Sequence, residues 1–263
     1  MTKQPAAANK AKIARRVIEV LDYFDDLHRE ATVMDIVRRY DRPQSSTSEL
    51  LSSLVELGLL TKDHHARSYS LTPRAALIGA VAQPEAIRDG RLVRMLDRLS
   101  AQTSLGTGLF AISGVNAQLI SWRCGAPGKS GPYNGSQEPL SHSAAGWMLL
   151  STVERGRRDG ILRRLNAEAS DATKFVHAEL AERIEAAARD GHVSGPAGFG
   201  SSGEALALLV PGELSGQPLA FSIFHEGSKC IDAPRLLQSA RDAIERCMVD
   251  PKPAELAEFP TAA

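Results

Sequence analysis

Apolar residues recur every three or four positions in two adjoining stretches near the N-terminus, which is the spacing of amphipathic helices. The first stripe is Val33, Ile36 and Val37, and the second consists of Leu50, Leu51, Leu54, Val55 and Leu57. Asp41 and Arg42 lie between the stripes and are predicted to form a tight turn. Two helices joined by a short turn are the layout of a helix-turn-helix.

Residues of characteristic types mark where these helices begin and end. Thr32 is predicted to be an N-cap, and Asp35 three residues later is typical of a capping box. Pro43 is predicted at the first position of the second helix, where its missing N–H removes no hydrogen bond. Gly58 is predicted to end this helix as the C′ residue.

Alternation of apolar and polar positions replaces the helical spacing beyond this point and predicts a two-stranded wing. The strands are predicted at residues 59–62 and 68–71, with a turn at 63–67. Tyr69 and Leu71 are predicted to face inward. A helix-turn-helix followed by such a wing inserts its second helix into the DNA major groove.

A further amphipathic helix is predicted before this pair, and its apolar face consists of Ile13, Val17, Val20, Leu21 and Phe24. Arg15 and Arg16 near its start are candidates for phosphate contacts. The alternative, that they are solvated surface charges, is equally open.

The remaining pattern predicts a second domain of α+β class. One helix is predicted at 85–102, followed by a hairpin of strands 105–113 and 117–123 and a loop at 124–139. Later elements are predicted as helices 143–152, 154–166 and 175–190, strands 205–210 and 218–225, and a final helix 233–248. This order favours an antiparallel sheet, which can hold a small molecule between one face and its covering loops.

The pattern therefore divides the chain into five segments. They are a disordered N-terminus at 1–10, a winged helix-turn-helix domain at 11–72, a helical linker at 73–84, a second domain of α+β class at 85–249, and a loose tail at 250–263.

Composition describes a soluble globular protein, with 43% hydrophobic and 24% charged residues and zero net charge. Residues 1–81 hold 12 Lys/Arg and 10 Asp/Glu, a balance of +2, so strong nonspecific DNA binding by a monomer is not expected. No apolar run is long enough to span a membrane, and the N-terminus does not resemble a secretory signal. We therefore expect a cytoplasmic protein without membrane association.

Several motifs with chemical meaning are absent or incomplete. Cys124, Cys230 and Cys247 are far apart and odd in number, which indicates neither a disulfide framework nor a zinc site. The Gly-Lys-Ser at 128–130 is not a phosphate loop, because Arg123 stands where that motif needs glycine. Neither an esterase nucleophile elbow nor a zinc-protease motif occurs. We expect no catalytic activity, cofactor or metal.

Adjacent His64 and His65 lie in the predicted turn of the wing. Without further ligands they are not typical of a metal site. They are predicted to be exposed residues near a DNA backbone.

Short polar side chains lead the second helix of the predicted helix-turn-helix, and with two flanking arginines they form the candidate DNA-binding set: Arg42, Gln44, Ser45, Ser46, Ser48, Glu49 and Arg67. Gln44 can pair bidentately with adenine, and Glu49 can accept a hydrogen bond from cytosine. Arg42 and Arg67, with Arg38 and Arg39, would supply phosphate contacts. The alternative is that this set is a solvated helix face.

Three stretches resemble IclR-type bacterial transcriptional regulators. They are residues 16–24, residues 43–60 together with 68–74, and residues 139–150. The last is similar to a family segment that usually reads Pro-Leu-His-x-(Ser/Thr)-Ala-x-Gly-Lys-Ala. The resemblance implies a winged helix-turn-helix, a helical linker and an effector-binding domain. It also implies dimers, often paired into tetramers, on palindromic operators, with small organic acids or aromatic catabolites as effectors.

The chain departs from the family pattern at several positions. Gln44 stands where the family commonly has lysine, and Glu49 where a basic residue is common. Ser141 replaces the usual histidine, and Trp147 replaces the usual lysine. The departures at Gln44 and Glu49 predict fewer phosphate contacts from the second helix of the helix-turn-helix. The departures in the second domain predict an effector different from that of well-known members.

Candidate effector contacts follow from the resemblance and from residue chemistry. Ala144, Ala145 and Gly146 would offer backbone N–H groups at a helix N-terminus to an anion, the alternative being a tightly packed helix start. His225 would bond a carboxylate, the alternative being a structural histidine. Weaker candidates for the pocket wall are Arg123, Trp122 and His142.

The sequence thus predicts a regulator that binds operator DNA and whose affinity is controlled by a small organic acid or aromatic effector. The partners expected are double-stranded operator DNA and a second copy of the chain, with a dimer of dimers as a further assembly. The alternative is a DNA-binding regulator whose second domain serves only oligomerisation. Repression and activation are not distinguished by the sequence.

Overall fold

The computed structural model describes residues 6–24, 28–78, 85–125, 131–212, 217–225 and 232–249. The chain divides into two compact units, Met1–Gln83 and Pro84–Ala263. No helix within the described ranges is both long and apolar enough to cross a membrane. The predicted tail at 250–263, the second half of the predicted linker (79–84), and Cys230 lie outside the described residues.

The first unit contains a three-helix arrangement with a two-stranded wing. Its elements are α1 (Ala6–Tyr23), α2 (Val33–Tyr40), α3 (Gln44–Glu56), β1 (Leu60–Asp63), β2 (Ser68–Leu71) and the short α4 (Pro73–Leu77). Strands β1 and β2 pair antiparallel. Apolar side chains from all of these except α4 form the buried core, with Val20, Ile36, Leu51, Leu54 and Tyr69 at its centre. The predicted winged helix-turn-helix is confirmed.

Local hydrogen bonds explain where the two helices of the helix-turn-helix begin and end. The Thr32 hydroxyl accepts from the Asp35 amide, and the Asp35 carboxylate accepts from the Thr32 amide, which confirms the capping box. At the end of α3, Gly58 has φ of +69°, and its N–H donates to the Val55 carbonyl. The Leu59 N–H donates to the Leu54 carbonyl, completing a Schellman motif, as expected for a C′ glycine.

Four details of the first unit differ from the sequence prediction. Helix α1 already begins at Ala6, within the segment predicted to be disordered. Pro43 is the N-cap of α3 rather than its first helical residue, because its backbone is extended. Leu71 is 39% exposed, since β2 ends there, whereas Tyr69 is covered through its pairing with Ala31. Ile13 is 54% exposed because the core covers only the later part of α1.

The second unit is a six-stranded antiparallel sheet with helices on both faces. Its helices are α5 (Glu85–Arg88), α6 (Arg91–Thr103), α7 (Ala144–Leu150), α8 (Arg155–Glu168), α9 (His177–Asp190) and α10 (Ala233–Val249). Its strands are β3 (Gly106–Ser113), β4 (Asn116–Arg123), β5 (Gln137–Pro139), β6 (His192–Gly198), β7 (Ser201–Val210) and β8 (Leu219–His225). The strand order is β5-β4-β3-β8-β7-β6, which confirms the predicted α+β class with an antiparallel sheet.

Alternation along the central strands divides the interior into two cores. Leu206, Leu208 and Phe221 pack toward α6 and α10, whereas Ala205 and Ala207 pack toward α7 and α9. The small side chains on the second face leave room for α7, which is buried along its whole length. Each face of the sheet therefore has its own apolar cover.

Three elements of the second unit depart from the prediction. The single helix predicted at 85–102 is interrupted at Gly90, whose φ of +77° is left-handed and makes it the N-cap of α6. The predicted loop 124–139 contains β5, which pairs with the start of β4. Strand β6 was not predicted, and β7 starts at Ser201 rather than 205, because the Gly- and Pro-rich segment before it pairs as a hairpin.

Candidate DNA-binding surface and effector cleft

The first turns of α3 present the polar face that the sequence predicts to read bases. Gln44, Ser45 and Glu49 are exposed, and Ser48 is half-buried. Thr47 is buried, and its hydroxyl donates to the Pro43 carbonyl at 2.9 Å, so it belongs to the core side of the helix. The exposed side chains make no side-chain hydrogen bond to other described residues, which leaves their polar groups available to a partner.

Helix α1 brings a basic residue beside this surface. Arg16 Nη2 donates to Ser46 Oγ at 3.1 Å, and the same hydroxyl donates to the Pro43 carbonyl at 3.2 Å. Ser46, a predicted base contact, is therefore already engaged within the unit. Arg16 places a positive charge at the start of α3, a role that the sequence left open.

Arg42, a predicted phosphate contact, is bound to a carboxylate of α1. Its Nη2 lies 2.8 and 3.1 Å from the two carboxylate oxygens of Glu19. The Arg42 side chain is still 37% exposed, so its guanidinium remains accessible. Any phosphate that binds Arg42 must compete with Glu19.

The wing turn holds the other predicted arginine. Arg67 is exposed and has φ of +52° in that turn. The turn is shaped by Asp63, whose carboxylate accepts from the amides of His65 and Ala66 at 2.7 and 3.0 Å. The Ala66 and His65 amides lower the pKa of Asp63 from its ordinary value, because they stabilise its charged form.

His64 and His65 are exposed at the same turn. Within the described ranges of the chain, no group of three or more His, Cys, Asp and Glu residues could hold a metal ion.

A large open cleft lies on the face of the second unit's sheet that carries α7. Its volume is about 1180 Å³, which exceeds the size of a small organic molecule. Aromatic walls are formed by Trp122, Tyr133, Phe199 and Phe224. Polar groups are supplied by Ser136, Gln137, Glu138, His142, Ser201, Ser202 and His225. The cleft can therefore hold a flat apolar body and bond its polar substituents.

Glu138 is the carboxylate in the wall of the cleft. Its Oε2 accepts the Phe199 N–H at 2.8 Å, which joins β5 to the turn between β6 and β7. That turn is tight, since Phe199 and Gly200 both have positive φ, at 53° and 78°. Burial raises the pKa of Glu138, although the Phe199 amide and the nearby His142 act in the opposite direction.

Three buried polar atoms of cleft-lining residues have no hydrogen-bond partner in the described part of the chain. They are Trp122 Nε1, Ser136 Oγ and His225 Nδ1. Buried polar groups are nearly always bonded, so such atoms commonly mark places where a ligand or water binds. Trp122 is held edge-on against Phe224, with ring centroids 4.8 Å apart.

The structure brings three of the predicted effector contacts together and separates the others. His142 and His225 both line the cleft, as does Trp122. Arg123 lies on the opposite face of the sheet, where its Nε bonds Asp97 of α6 at 2.6 Å. Sequence neighbours in a strand point to opposite faces, which is why Trp122 and Arg123 differ.

Ala144, Ala145 and Gly146 are packed in the interior and are not among the lining residues of the cleft. The Gly146 N–H donates to Ser143 Oγ at 3.2 Å, so this amide is already capped. A Cβ at Gly146 would lie 2.2 Å from the Leu140 carbonyl oxygen. This arrangement corresponds to the tightly packed helix start that the sequence left as the alternative.

Trp147 and Ser141, two departures from the family pattern, are paired with each other. Trp147 Nε1 donates to the Ser141 carbonyl at 2.8 Å, and Trp147 is only 6% exposed. The guanidinium of Arg183 lies over the ring at 5.6 Å. Both residues belong to the packing around α7.

Sequence reasoning missed several cleft residues, namely Ser136, Glu138, Phe199, Ser201, Ser202 and Phe224. Glu138 fell in a predicted loop, where it is the only acidic residue of segment 124–139, and this was the one available signal.

Known proteins are similar to this chain in the helix-turn-helix and in the overall fold. The IclR helix-turn-helix domain family matches residues 14–64. No curated protein has significant sequence similarity to the chain. Among solved structures with the same fold, three align with this chain over at least 95% of their own length.

An IclR homolog from Microbacterium hydrocarbonoxydans, complexed with 4-hydroxybenzoate, is 19% identical with a TM-score of 0.61, over 90% of this chain and 98% of that one. An IclR transcriptional regulator from Alicyclobacillus acidocaldarius is 18% identical with a TM-score of 0.58, over 91% and 97%. The effector domain of IclR from Acinetobacter sp. ADP1 is 20% identical with a TM-score of 0.55, over 62% and 95%. The chain thus combines a helix-turn-helix of this type with the fold of these regulators.

Proposed function

We propose, from the IclR helix-turn-helix domain at residues 14–64, that this protein is a non-enzymatic transcriptional regulator whose operator affinity is controlled by a small organic effector. The effector binds in the cleft of the second unit. The protein acts in the cytoplasm as a homodimer, which can pair into a dimer of dimers.

The observation that carries this proposal is the ligand-sized cleft with unsatisfied polar atoms, in a chain that also has a DNA-reading helix. Trp122 Nε1, Ser136 Oγ and His225 Nδ1 are buried and have no hydrogen-bond partner among the described residues, and all three residues line the cleft. The neighbour from M. hydrocarbonoxydans, which has the same fold, was crystallised with 4-hydroxybenzoate. A bound molecule can satisfy these atoms here, and its binding energy is available to bias a conformational equilibrium.

DNA recognition in this proposal uses α3 in the major groove. Gln44, Ser45, Ser48 and Glu49 contact base edges, while Arg16 and Arg67 contact phosphates. A dimer would place two copies of α3 in major grooves about one helical turn, roughly 34–36 Å, apart. The operator is therefore an inverted repeat.

The strength of effector control is the coupling free energy between effector binding in the cleft and operator binding by the first unit. A coupling of about 1–3 kcal/mol would change operator affinity by roughly 5–150-fold. The effector must bind the DNA-competent and DNA-incompetent states with different affinities, because equal affinity shifts nothing.

The test begins with an operator selected from random duplexes with the full-length protein. Compounds that bind the protein are identified by calorimetry, and operator affinity is measured with and without each of them. We expect at least one to change affinity within that range, and Trp122→Leu, which alters the cleft wall, to abolish the response while basal DNA affinity is retained.

Two other outcomes contradict parts of the proposal. If no bound compound alters operator affinity, effector control is wrong and the second unit serves oligomerisation alone. If no sequence is enriched from random duplexes, the assignment of α3 to base reading is wrong.

A further inference from the structure

The charges around the cleft indicate which class of effector it accepts, an inference that rests on the proposed function of the cleft as the effector site. Among the described residues that line it, Glu138 carries the only carboxylate, and neither Arg nor Lys occurs. Arg123, which the sequence predicts in the pocket wall, lies on the other face of the sheet and bonds Asp97 there. Among the described lining residues, a bound carboxylate would therefore meet no guanidinium or ammonium group, and only uncharged donors and the imidazoles of His142 and His225 could replace its hydration. Burying a carboxylate without a strong cationic partner is costly.

Glu138 offers an acceptor rather than a donor to the contents of the cleft. Its Oε2 accepts the Phe199 N–H, and Oε1 has no hydrogen-bond partner among the residues that the structure describes. An anionic ligand next to this group would face like-charge repulsion. A ligand N–H or O–H next to it would form a charge-assisted hydrogen bond whenever Glu138 is ionised.

Aromatic side chains complete the environment. Trp122 and Phe224 meet edge-to-face, and Phe199 lies 5.0 Å from Phe110 by ring centroids. Their faces favour a flat ring and, through their quadrupoles, a nearby cation. Two further polar atoms belong to cleft-lining residues. Trp122 Nε1 can only donate a hydrogen bond, whereas Ser136 Oγ can donate or accept one. A ligand with one acceptor and one donor on an aromatic ring matches this set.

We propose that the cleft accepts an aromatic molecule that carries a hydrogen-bond donor, either uncharged or a protonated amine, directed at Glu138, and that it discriminates against aromatic carboxylates. This class differs from the organic acids implied by the sequence resemblance. It also separates this cleft from that of the structural neighbour complexed with 4-hydroxybenzoate.

The test compares three probes that share one ring and one hydroxyl: 4-hydroxybenzylamine, 4-hydroxybenzamide and 4-hydroxybenzoate. At neutral pH their variable groups carry charges of +1, 0 and −1. Binding to the full-length protein is measured by titration calorimetry at fixed ionic strength. We expect the amine and the amide each to bind at least about tenfold more tightly than the benzoate, since a charge-assisted hydrogen bond replaces a repulsion.

Glu138→Gln keeps the side-chain shape and removes the charge. It should weaken the amine about tenfold or more, weaken the amide less because a neutral acceptor remains, and strengthen the benzoate. Glu204→Gln is the matched control, because Glu204 is exposed and does not line the cleft, so all three affinities should be unchanged.

The wild-type series decides the question even if Glu138→Gln does not fold. Tightest binding of 4-hydroxybenzoate, or no binding of any probe at 10 mM (about the limit of specific recognition), overturns the proposed ligand class. Operator affinity is measured separately. If the probes bind in the expected order without altering it, the ligand class stands and the regulatory switch fails.

Discussion

Single residues on the side of the first unit that is proposed to face DNA differ in whether they already have an intramolecular partner. Gln44 and Glu49 are exposed, with side chains that bond no other described residue, whereas Ser46 bonds Arg16 and Arg42 bonds Glu19. Residues of the first kind can read bases without breaking a contact. Residues of the second kind must give up an interaction to bind DNA, which lowers their net contribution.

Glu19→Gln is expected to raise nonspecific DNA affinity. The substitution removes the carboxylate that holds Arg42, so the guanidinium becomes available to a phosphate. One added phosphate contact should steepen the dependence of log affinity on log salt by about 0.9. Binding to random duplexes is measured by fluorescence anisotropy over a range of salt concentrations.

Glu56→Gln is the control for that experiment, because it changes net charge equally at an exposed position near the end of α3. It should leave the salt slope close to that of the wild type. Equal slopes for both variants would show that Arg42 contributes no phosphate contact.

Gln44→Ala is expected to relax base preference at one position of the operator half-site. A bidentate contact to adenine contributes about 1–3 kcal/mol of discrimination, which the variant would lose. Affinities for duplexes with each base at every half-site position are compared with those of Ser52→Ala, an exposed serine farther along α3. A uniform loss on all duplexes would instead mark Gln44 as a backbone contact.

At the level of elements, left-handed residues end several of the helices. Gly191 ends α9 with φ of +71°, and Gly160 lies inside α8. A Cβ at either glycine would meet nothing within 4 Å. Both positions therefore have room for a methyl group and differ in backbone conformation, so each serves as the control for the other.

Gly191→Ala is expected to lower the free energy of unfolding by about 1–2 kcal/mol, because an L side chain is strained in the left-handed region. Gly160→Ala should raise it by about 0.5–1 kcal/mol, because alanine has the higher helix propensity. Urea denaturation followed by circular dichroism measures both. Changes of the same sign in the two variants would contradict this account.

At the level of the whole molecule, the two units have separate apolar cores and separate chemistries. The first contains the winged helix-turn-helix, and the second contains the cleft and the six-stranded sheet. Each core is enclosed by elements of its own unit. Independent folding of each unit follows from this division.

Expression of residues 1–83 and 84–249 as separate proteins is therefore expected to give two folded fragments. The first should bind operator DNA more weakly than the full chain and without response to any effector, because it lacks the cleft. The second should bind effectors with the affinity of the full chain. Calorimetry and anisotropy measure these properties, and loss of effector binding by the second fragment would contradict the assignment of the site.

The sequence determined the elements whose signals are local. Thr32 and Asp35 indicate a capping box, Gly58 indicates a helix end, and the apolar stripes of α2 and α3 indicate a helix-turn-helix. The sequence reveals these features because each depends only on residues within one or two helical turns. Strands β3, β4 and β8 are also evident as apolar runs. From these the winged domain, the α+β class and the antiparallel sheet could be predicted.

Only the tertiary structure decided the strands and contacts that depend on distant partners. Strand β6 contains Gly195 and Pro196 and forms because β7 supplies its hydrogen bonds. The Glu19 contact that restrains Arg42 joins residues 23 positions apart, and the Glu138 contact with Phe199 joins residues 61 positions apart. Pairing of β4 with β3, and of β3 with β8, decides which face of β4 lies against the cleft, so that Trp122 lines it and Arg123 does not. Such pairings are set by packing and hydrogen bonding across the sheet, which no local pattern encodes.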